Sequence, residues 1–305
     1  MALGYEGNLY ILAFDHRGSF QKKFFGVTGE PSREEAERIS DAKHLIYEGF
    51  TQALADGAPR DEAGLLVDEQ FGARAARDAS GRGLMLAMPV EKSGQEEFDF
   101  EHGDDFGRHI EDFSPAFSKV LVRYNPEGDR DMNRRQTERL EKLSDWLHAN
   151  DRKFLFELLV PAEDHQLEKV DGDSDRFDKE LRADLMLAAI ESLQAAGGEP
   201  DVWKIEGLDE RKDCERIAEL TRSDGRGDVV CVVLGRGAED AAVEHWLRQG
   251  AGVPGYVGFA IGRTIWSDAL EGFLDDGIPR DEAAKQISDR YRHMIDVYAE
   301  AVAAR

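Results

Sequence analysis

Lysines and carboxylates set inside apolar runs are the residues of this chain best placed to do chemistry. The run Asp201-Val-Trp-Lys-Ile-Glu206 reads as a buried strand with Lys204 at its centre. Side chains alternate faces along a strand, so Val202, Lys204 and Glu206 share one face and Trp203 and Ile205 the other. Lysine is almost never fully buried without a partner or a purpose. An amine held away from water beside other cations has a lowered pKa and becomes a nucleophile that can condense with a carbonyl to a Schiff base. The competing reading is a lysine at a strand edge with its head in water. A second run, Lys153-Phe-Leu-Phe-Glu-Leu-Leu-Val160, carries Glu157 where an unpaired carboxylate would be costly. A third, Phe117-Ser-Lys-Val-Leu-Val-Arg-Tyr-Asn125, places Lys119, Arg123 and Asn125 on one face by the same period. Lys204 or Lys119 would satisfy Glu157, as a structural pair or as a site. For Lys119, near the start of its strand, the lesser alternative is a solvated residue at the far end.

The elements that must position these groups alternate along the chain. Apolar runs predict strands over Leu9–Asp15, Gly64–Asp68, Leu84–Glu91, Phe117–Asn125, Lys153–Val160, Val202–Glu206, Val229–Gly235 and Tyr256–Gly262. Helical spacing follows over Arg33–Asp56, Glu69–Ser80, Asp104–Phe113, Asp131–Asn150, Lys179–Ala196, Asp209–Arg222 and Glu239–Gln249. Further helices follow Arg263-Thr264 and cover Arg280–Ala303. Strands alternating with helices imply a parallel sheet with right-handed crossovers. Eight such units point to an α/β fold of the closed (β/α)8 TIM-barrel kind, with an extra C-terminal helix. A doubly wound open sheet would place a glycine-rich turn after its first strand, and Asp15-His-Arg-Gly18 is not one. No linker interrupts the pattern, so residues 1–305 are expected to form a single TIM-barrel domain. The Ala- and Leu-rich stretch Met186–Ala196 is expected to face the barrel rather than a partner.

In such a barrel the active site lies at the C-terminal ends of the strands. Asp15 and Glu91 close two strands there, and Lys204, Glu157, Lys119 and Arg123 would point inward. The last two strands end differently, in Leu234-Gly-Arg-Gly237 and Ala260-Ile-Gly-Arg-Thr264. Glycine lets a ligand approach backbone amides, and a helix N-terminus favours an anion. Gly235, Arg236, Gly262 and Arg263 are therefore candidates for holding a phosphate, a frequent barrel feature after strands seven and eight. Tight turns that need glycine are the alternative.

The bulk properties narrow the partners. The 305 residues carry a formal charge of −24, a surface that repels nucleic acid and anionic membranes and suits a salty interior. Cys214 and Cys231 form no disulfide framework and have no metal-ligand spacing. No signal-peptide pattern or membrane-length apolar run is seen, so a cytoplasmic protein is expected. Among the eight histidines, His102 and His109 are not at ligand spacing for a helix or a strand, and no H-E-x-x-H occurs. No metal or cofactor is expected, although a magnesium held by Asp68, Glu69 and Glu91 stays open. A phosphorylated small molecule is the expected partner, with no nucleic acid and no membrane, and a homo-oligomer is compatible with the sequence.

The stretches LAFDHRGSFQKKFFG, LLVDEQFG, MPVEKSGQEEFDFEHG, KVLVRYNPEGD, KFLFELLVPA, EPDVWKIEGLD, VVLGRGAED and GFAIGRT resemble the DUF2090 family over about Leu9 to Tyr298. That family occurs mostly behind a sugar-kinase domain in bifunctional proteins of inositol catabolism, and is distantly similar to tagatose 1,6-bisphosphate aldolase and other class I aldolases. The resemblance implies a Schiff-base lysine at Lys204, a glutamate at Glu157, a lysine at Lys119 and an aspartate at Asp15. It also implies phosphate-binding turns at Gly235-Arg236 and Gly262-Arg263. Arg123, Asn125 and Glu91, read from their strand positions and not from the resemblance, are further candidate substrate contacts. The implied reaction cleaves 2-deoxy-5-keto-D-gluconate 6-phosphate to dihydroxyacetone phosphate and malonate semialdehyde. These residues carry no kinase half, so phosphorylation is not expected of this chain. The alternatives are another phosphosugar aldolase, for tagatose, fructose or sulfosugar phosphates, or a non-catalytic phosphometabolite-binding barrel.

Overall fold

The computed structural model describes residues 3–305. Eight strands run in parallel and close on themselves in chain order: β1 (Leu9–Ala13), β2 (Ala63–Leu66), β3 (Met85–Pro89), β4 (Phe117–Arg123), β5 (Lys153–Leu159), β6 (Val202–Glu206), β7 (Val230–Leu234) and β8 (Tyr256–Ile261). The helices are α1 (Gly18–Phe25), α2 (Arg33–Ala55), α3 (Glu69–Gly81), α4 (Phe106–Phe113), α5 (Arg130–Ala149) and α6 (Asp164–Glu168). They continue with α7 (Ser174–Glu180), α8 (Arg182–Ala195), α9 (Arg211–Thr221), α10 (Asp240–Gly250), α11 (Arg263–Asp275) and α12 (Arg280–Ala303). The fold is the expected TIM barrel.

Each strand divides its side chains between two cores. Leu9, Ile11, Leu66, Ala87, Phe117, Leu155, Val202, Val232 and Ala260 fill the barrel interior. Their neighbours in sequence, such as Leu12, Leu65, Phe156, Trp203 and Val233, point outward into the larger core under the helices. Trp203 is fully buried there, 4.9 Å from the Phe156 ring centroid. The alternation that puts Trp203 outside therefore puts Lys204 inside. Register fixes the heights: Glu157 is the direct Cα partner of Lys204 across the β5–β6 ladder.

Local sequence explains the element ends. Ser32 and Glu35 form a capping box on α2, and Asp68 caps α3 through the Phe71 amide at 2.8 Å. Gly258 has φ 149, and a Cβ there would lie 2.1 Å from the Leu9 carbonyl oxygen across the β1–β8 seam, so only glycine fits. The final helix α12 packs against α2, α10 and α11. Its Tyr291 hydroxyl donates to the Tyr10 carbonyl (2.6 Å) and its Tyr298 hydroxyl to the Tyr256 carbonyl (2.9 Å). It thus holds both strands of the seam. In α8, Met186, Ala189, Ile190 and Leu193 are buried, so this stretch faces the barrel.

All strands but β6 stop short of their apolar runs. β1, β3 and β4 stop at Ala13, Pro89 and Arg123, and one further ladder bond follows each of them, from Phe14 to Leu66 (2.8 Å), from Val90 to Lys119 (2.9 Å) and from Tyr124 to Leu159 (2.9 Å). Asp15, Glu91 and Asn125 therefore stand in loops, free of strand alternation. The sequence reading also passes over α1, ended by Gly26 with φ 67, and over the short helices α6 and α7 between β5 and α8. These last two pack beside the C-terminal mouth of the barrel, where polar loop composition hides the helical turns.

Candidate active site

Five ionisable side chains meet inside the C-terminal end of the barrel. Lys119, from β4, is fully enclosed and binds three carboxylates: Asp15 at 2.8 Å, Glu91 at 2.7 Å and Glu157 at 3.0 Å. The Glu157 oxygen that meets Lys119 also lies 3.0 Å from the Lys204 Nζ. Glu157 is thus the shared partner of two lysines borne on the flanking strands β4 and β6. All five are buried, and all five line one cavity of about 760 Å³. That cavity is large enough for a sugar phosphate.

The electrostatics separate their roles. Burial opposes the Lys119 charge, but Asp15, Glu157 and Glu91 together raise its pKa well above that of an ordinary lysine. It stays an ammonium. Burial alone would raise Glu157, yet Lys119 and Lys204 outweigh it and hold its carboxyl below the usual range. Asp15 behaves in the same way under Lys119, His16 and Lys204, and its pKa is strongly lowered despite burial. Glu91 differs. Burial dominates over Lys119 and Arg17, and its carboxyl is raised. Its Oε2 is buried without a hydrogen-bond partner, so one of the three acids is kept as the better proton acceptor.

The rim of the cavity is built from arginines. Arg17 donates to the Glu91 carbonyl at 2.5 Å and pairs with Glu101 at 2.8 Å, which locks the β1 loop to the β3 loop. Arg123 donates to the Gln95 carbonyl at 2.7 Å. On the opposite side Arg236 pairs with Asp178 of α7 at 2.7 Å and with Glu206 at 3.1 Å, while Arg182 meets the same Asp178. Arg263 reaches the Arg236 carbonyl at 3.1 Å and lies over Gly237, whose φ is 71. Gly262 precedes α11, whose first turn opens beside this pair. His16 lines the cavity too. Burial, aided by Arg263, Lys204 and Lys43 against the pull of Asp15, lowers its pKa to about 4, so it is a neutral imidazole at pH 7.

Nine of the eleven residues singled out from sequence line this one cavity: Asp15, Glu91, Lys119, Arg123, Glu157, Lys204, Arg236, Gly262 and Arg263. The other two do not. Asn125, two residues past the end of β4, donates to the Pro161 carbonyl (2.8 Å) and Gln166 (2.7 Å), so it ties two loops together. A Cβ on Gly235 would meet Ile261 and Val243, which places that residue against the outer core. Arg236 lines the cavity at its expected turn, with two carboxylates, Asp178 and Glu206, on its guanidinium. Arg123 makes its contact with a loop carbonyl rather than with Lys204. The trio imagined for magnesium disperses: Asp68 binds Lys43 and caps α3, Glu69 faces His109, and Glu91 holds Lys119.

Arg17, His16, Arg182 and Asp178 were not singled out. Arg17 and His16 follow Asp15 directly, and that adjacency to a strand end was the available signal. Asp178 sits on the unforeseen α7, and Arg182 opens the expected helix α8, where nothing in the sequence marks it as facing the cavity. His102 and His109 were set aside by spacing, yet their rings stack with centroids 3.4 Å apart. A spacing test within one element misses two residues brought together by a turn.

The chain belongs to the DUF2090 family, described as an uncharacterized protein conserved in bacteria, whose profile matches residues 4–302. It is 23% identical over 299 residues to tagatose 1,6-diphosphate aldolase 2 of Streptococcus pyogenes serotype M1, covering 90% of this chain and 85% of that protein. A Schiff-base-forming fructose-1,6-bisphosphate aldolase shares the fold with a TM-score of 0.56 at 14% identity, covering 94% of each chain. An archaeal fructose-1,6-bisphosphate aldolase, solved with its catalytic lysine bound to the carbinolamine intermediate, does so with a TM-score of 0.57 at 12% identity, covering 96% of this chain and 94% of that one. The protein is thus a distant relative of phosphosugar aldolases.

Proposed function

We propose that this protein is a class I aldolase that cleaves a phosphorylated keto sugar acid through a Schiff base on Lys204. The preferred substrate is 2-deoxy-5-keto-D-gluconate 6-phosphate, giving dihydroxyacetone phosphate and malonate semialdehyde. One observation carries the reading: the Lys204 amine lies inside the barrel, open to the cavity, 3.0 Å from a carboxylate that a second lysine also holds.

The chemistry proceeds from that contact. The Lys204 amine, after passing a proton to a neighbouring carboxylate, attacks the ketone carbon and forms a carbinolamine, whose hydroxyl leaves as water after protonation. Glu157, touching Lys204, is the group in reach for both proton transfers. The iminium formed draws the electron pair of the next carbon–carbon bond toward nitrogen. A carboxylate takes the proton from the hydroxyl on the departing carbon, which leaves as the aldehyde. Glu91, with its raised carboxyl, is the stronger base, while Asp15 keeps Lys119 charged and Lys119 in turn positions all three acids. The enamine left on Lys204 takes a proton at carbon, and water releases the ketone. The first turn of α11 with Gly262 and Arg263 would hold the phosphate, and Arg236 would join once it exchanges its carboxylate partners for the ligand. Arg123 and Arg17 stand across the cavity, toward the carboxylate end.

A second reading, cleavage of tagatose 1,6-bisphosphate, takes its support from the streptococcal relatives. A panel of both substrates separates the two. Borohydride with dihydroxyacetone phosphate is expected to add a stable mass to Lys204, seen by peptide mass spectrometry, also in the presence of a chelator. Absence of any adduct with a folded protein would rule out imine chemistry and leave a phosphometabolite-binding barrel.

A further inference from the structure

Among the described residues, one cluster of side chains apart from the barrel cavity has the composition of a ligand set. Glu69 is the first residue of α3, His109 lies on α4, and His102 lies on the turn that leads into α4. The His109 Nδ1 is 2.9 Å from the Glu69 Oε2, and the His102 Nε2 is 3.3 Å from the same oxygen. One donor atom from each of the three falls within 4.8 Å of the other two. The same three residues line a small cavity of about 20 Å³, closed otherwise by Met88, Pro89, Val90, Phe106, Ile110 and Pro115. A space of about 10–15 Å³ already holds a water. Two observations therefore coincide: convergent donors, and a space lined by the same residues that takes one small sphere.

We propose that Glu69, His102 and His109 bind a divalent late first-row metal ion, with Zn²⁺ as the leading candidate. The donor set decides the class. Two imidazoles and one carboxylate suit Zn²⁺, Co²⁺, Ni²⁺ or Cu²⁺, whereas Mg²⁺ and Ca²⁺ call for oxygen donors throughout. Bonds of about 2.0–2.2 Å at tetrahedral angles hold donor atoms roughly 3.3 Å apart, which is the observed His102–Glu69 separation. The rings now stack almost in parallel, with an interplanar angle of 4°. Both nitrogens can face one ion only if the stack opens. His102, more than a third exposed on its turn, is the ring free to tilt. A fourth position would take water.

The proton inventory adds a handle. Arg108 approaches the other nitrogen of His109, Nε2, at 3.4 Å. An ion on Nδ1 moves the ring proton to Nε2, where it faces a guanidinium that has nothing to accept it. Arg108 is largely exposed and swings away, but it opposes the ion by charge and by tautomer. The consequence of binding is mechanical. His102 follows Glu101, the partner of Arg17, and closes the loop that carries Ser93 and Gln95 over the main cavity. An ion would pin that loop to α3.

The test uses the full chain, freed of metal with a chelator and then titrated with Zn²⁺ and, for its visible spectrum, Co²⁺. A single equivalent of Zn²⁺ is expected to survive gel filtration, with Co²⁺ giving the intense bands of a tetrahedral site. The double variant His102→Asn/His109→Asn should weaken binding by at least about 100-fold, and circular dichroism checks that it is folded. Arg108→Ala should tighten binding. Bound zinc should protect the 92–105 loop from proteolysis, and a chelator should remove that protection. No retained metal in the native protein, or equal retention in the folded double variant, overturns the proposal.

Discussion

Two buried lysines in this molecule show what separates a structural cation from a reactive one. Lys43, on α2, is completely enclosed outside the barrel, where its ammonium meets Asp68 and the Phe14 carbonyl at 2.8 Å and lies 5.3 Å from the Phe20 ring centroid. Lys204, inside the barrel, is almost as buried and has one carboxylate partner. Burial lowers the pKa of Lys43 in spite of Asp68. By the usual criterion of a depressed amine, Lys43 looks the better nucleophile. It lines no part of the main cavity, however, and no carbonyl compound can reach it. Access, and a partner that can hand protons on, distinguish the two; burial does not.

That contrast is sharpest under substitution. Lys204→Met is expected to remove turnover by several orders of magnitude while leaving the thermal midpoint nearly unchanged, because a methylene chain of similar length fills the same space. Lys43→Met should do the opposite. It strands Asp68 without its counter-ion, at a cost of about 3–5 kcal/mol of stability, while activity per folded molecule persists. Chemical denaturation and steady-state kinetics on both variants decide the comparison, and the reverse pattern would destroy it. Glu157→Gln should come next, lowering kcat by about 10²–10⁴-fold and slowing borohydride trapping in parallel.

Much of this was legible from residue order alone. Two runs of aliphatic and aromatic residues, interrupted once each by Lys204 and Glu157, fix both the strand and the face, because alternation cannot bury Trp203 outward without turning Lys204 inward. Lys43 shows the limit. On an amphipathic helix it reads as an ordinary surface residue, and only the fold brings Asp68 over it. Asn125 shows another. Its parity is correct, but β4 ends at Arg123, and beyond a strand end the side chain obeys the turn. Arg236 was placed at the right turn. Its capture by Asp178 depends on α7, which the polar loop sequence did not reveal.

Smaller effects refine the boundary between the two kinds of lysine. Arg236→Gln is expected to raise KM by roughly tenfold with little change in kcat, as for a group that binds substrate and transition state alike. A loss of stability with KM unchanged would instead make Arg236 a latch for α7. The pH response follows from the shifted groups. Asp15 and Glu157 have folded pKa values below their unfolded ones, so the stability they contribute is present above about pH 4 and is lost as pH falls through the folded values. Lys119, raised, contributes below about pH 10.4 and loses its contribution as pH climbs through its higher folded value. Glu91 works against the first pair, since its raised carboxyl favours the folded state in acid. The thermal midpoint should therefore decline below about pH 4, and Asp15→Asn should flatten that decline.

The two tyrosines of α12 that grip the Tyr10 and Tyr256 carbonyls have a consequence for how the molecule is made. Its first strand leaves the ribosome long before its last, and until β8 arrives β1 offers a bare edge to any passing strand. The hasp that fastens the ring, Tyr298, lies in the closing turns of α12 and emerges only after β8. Nascent chains stalled before it should stay open to proteases along β1, and release of those last turns should snap that window shut.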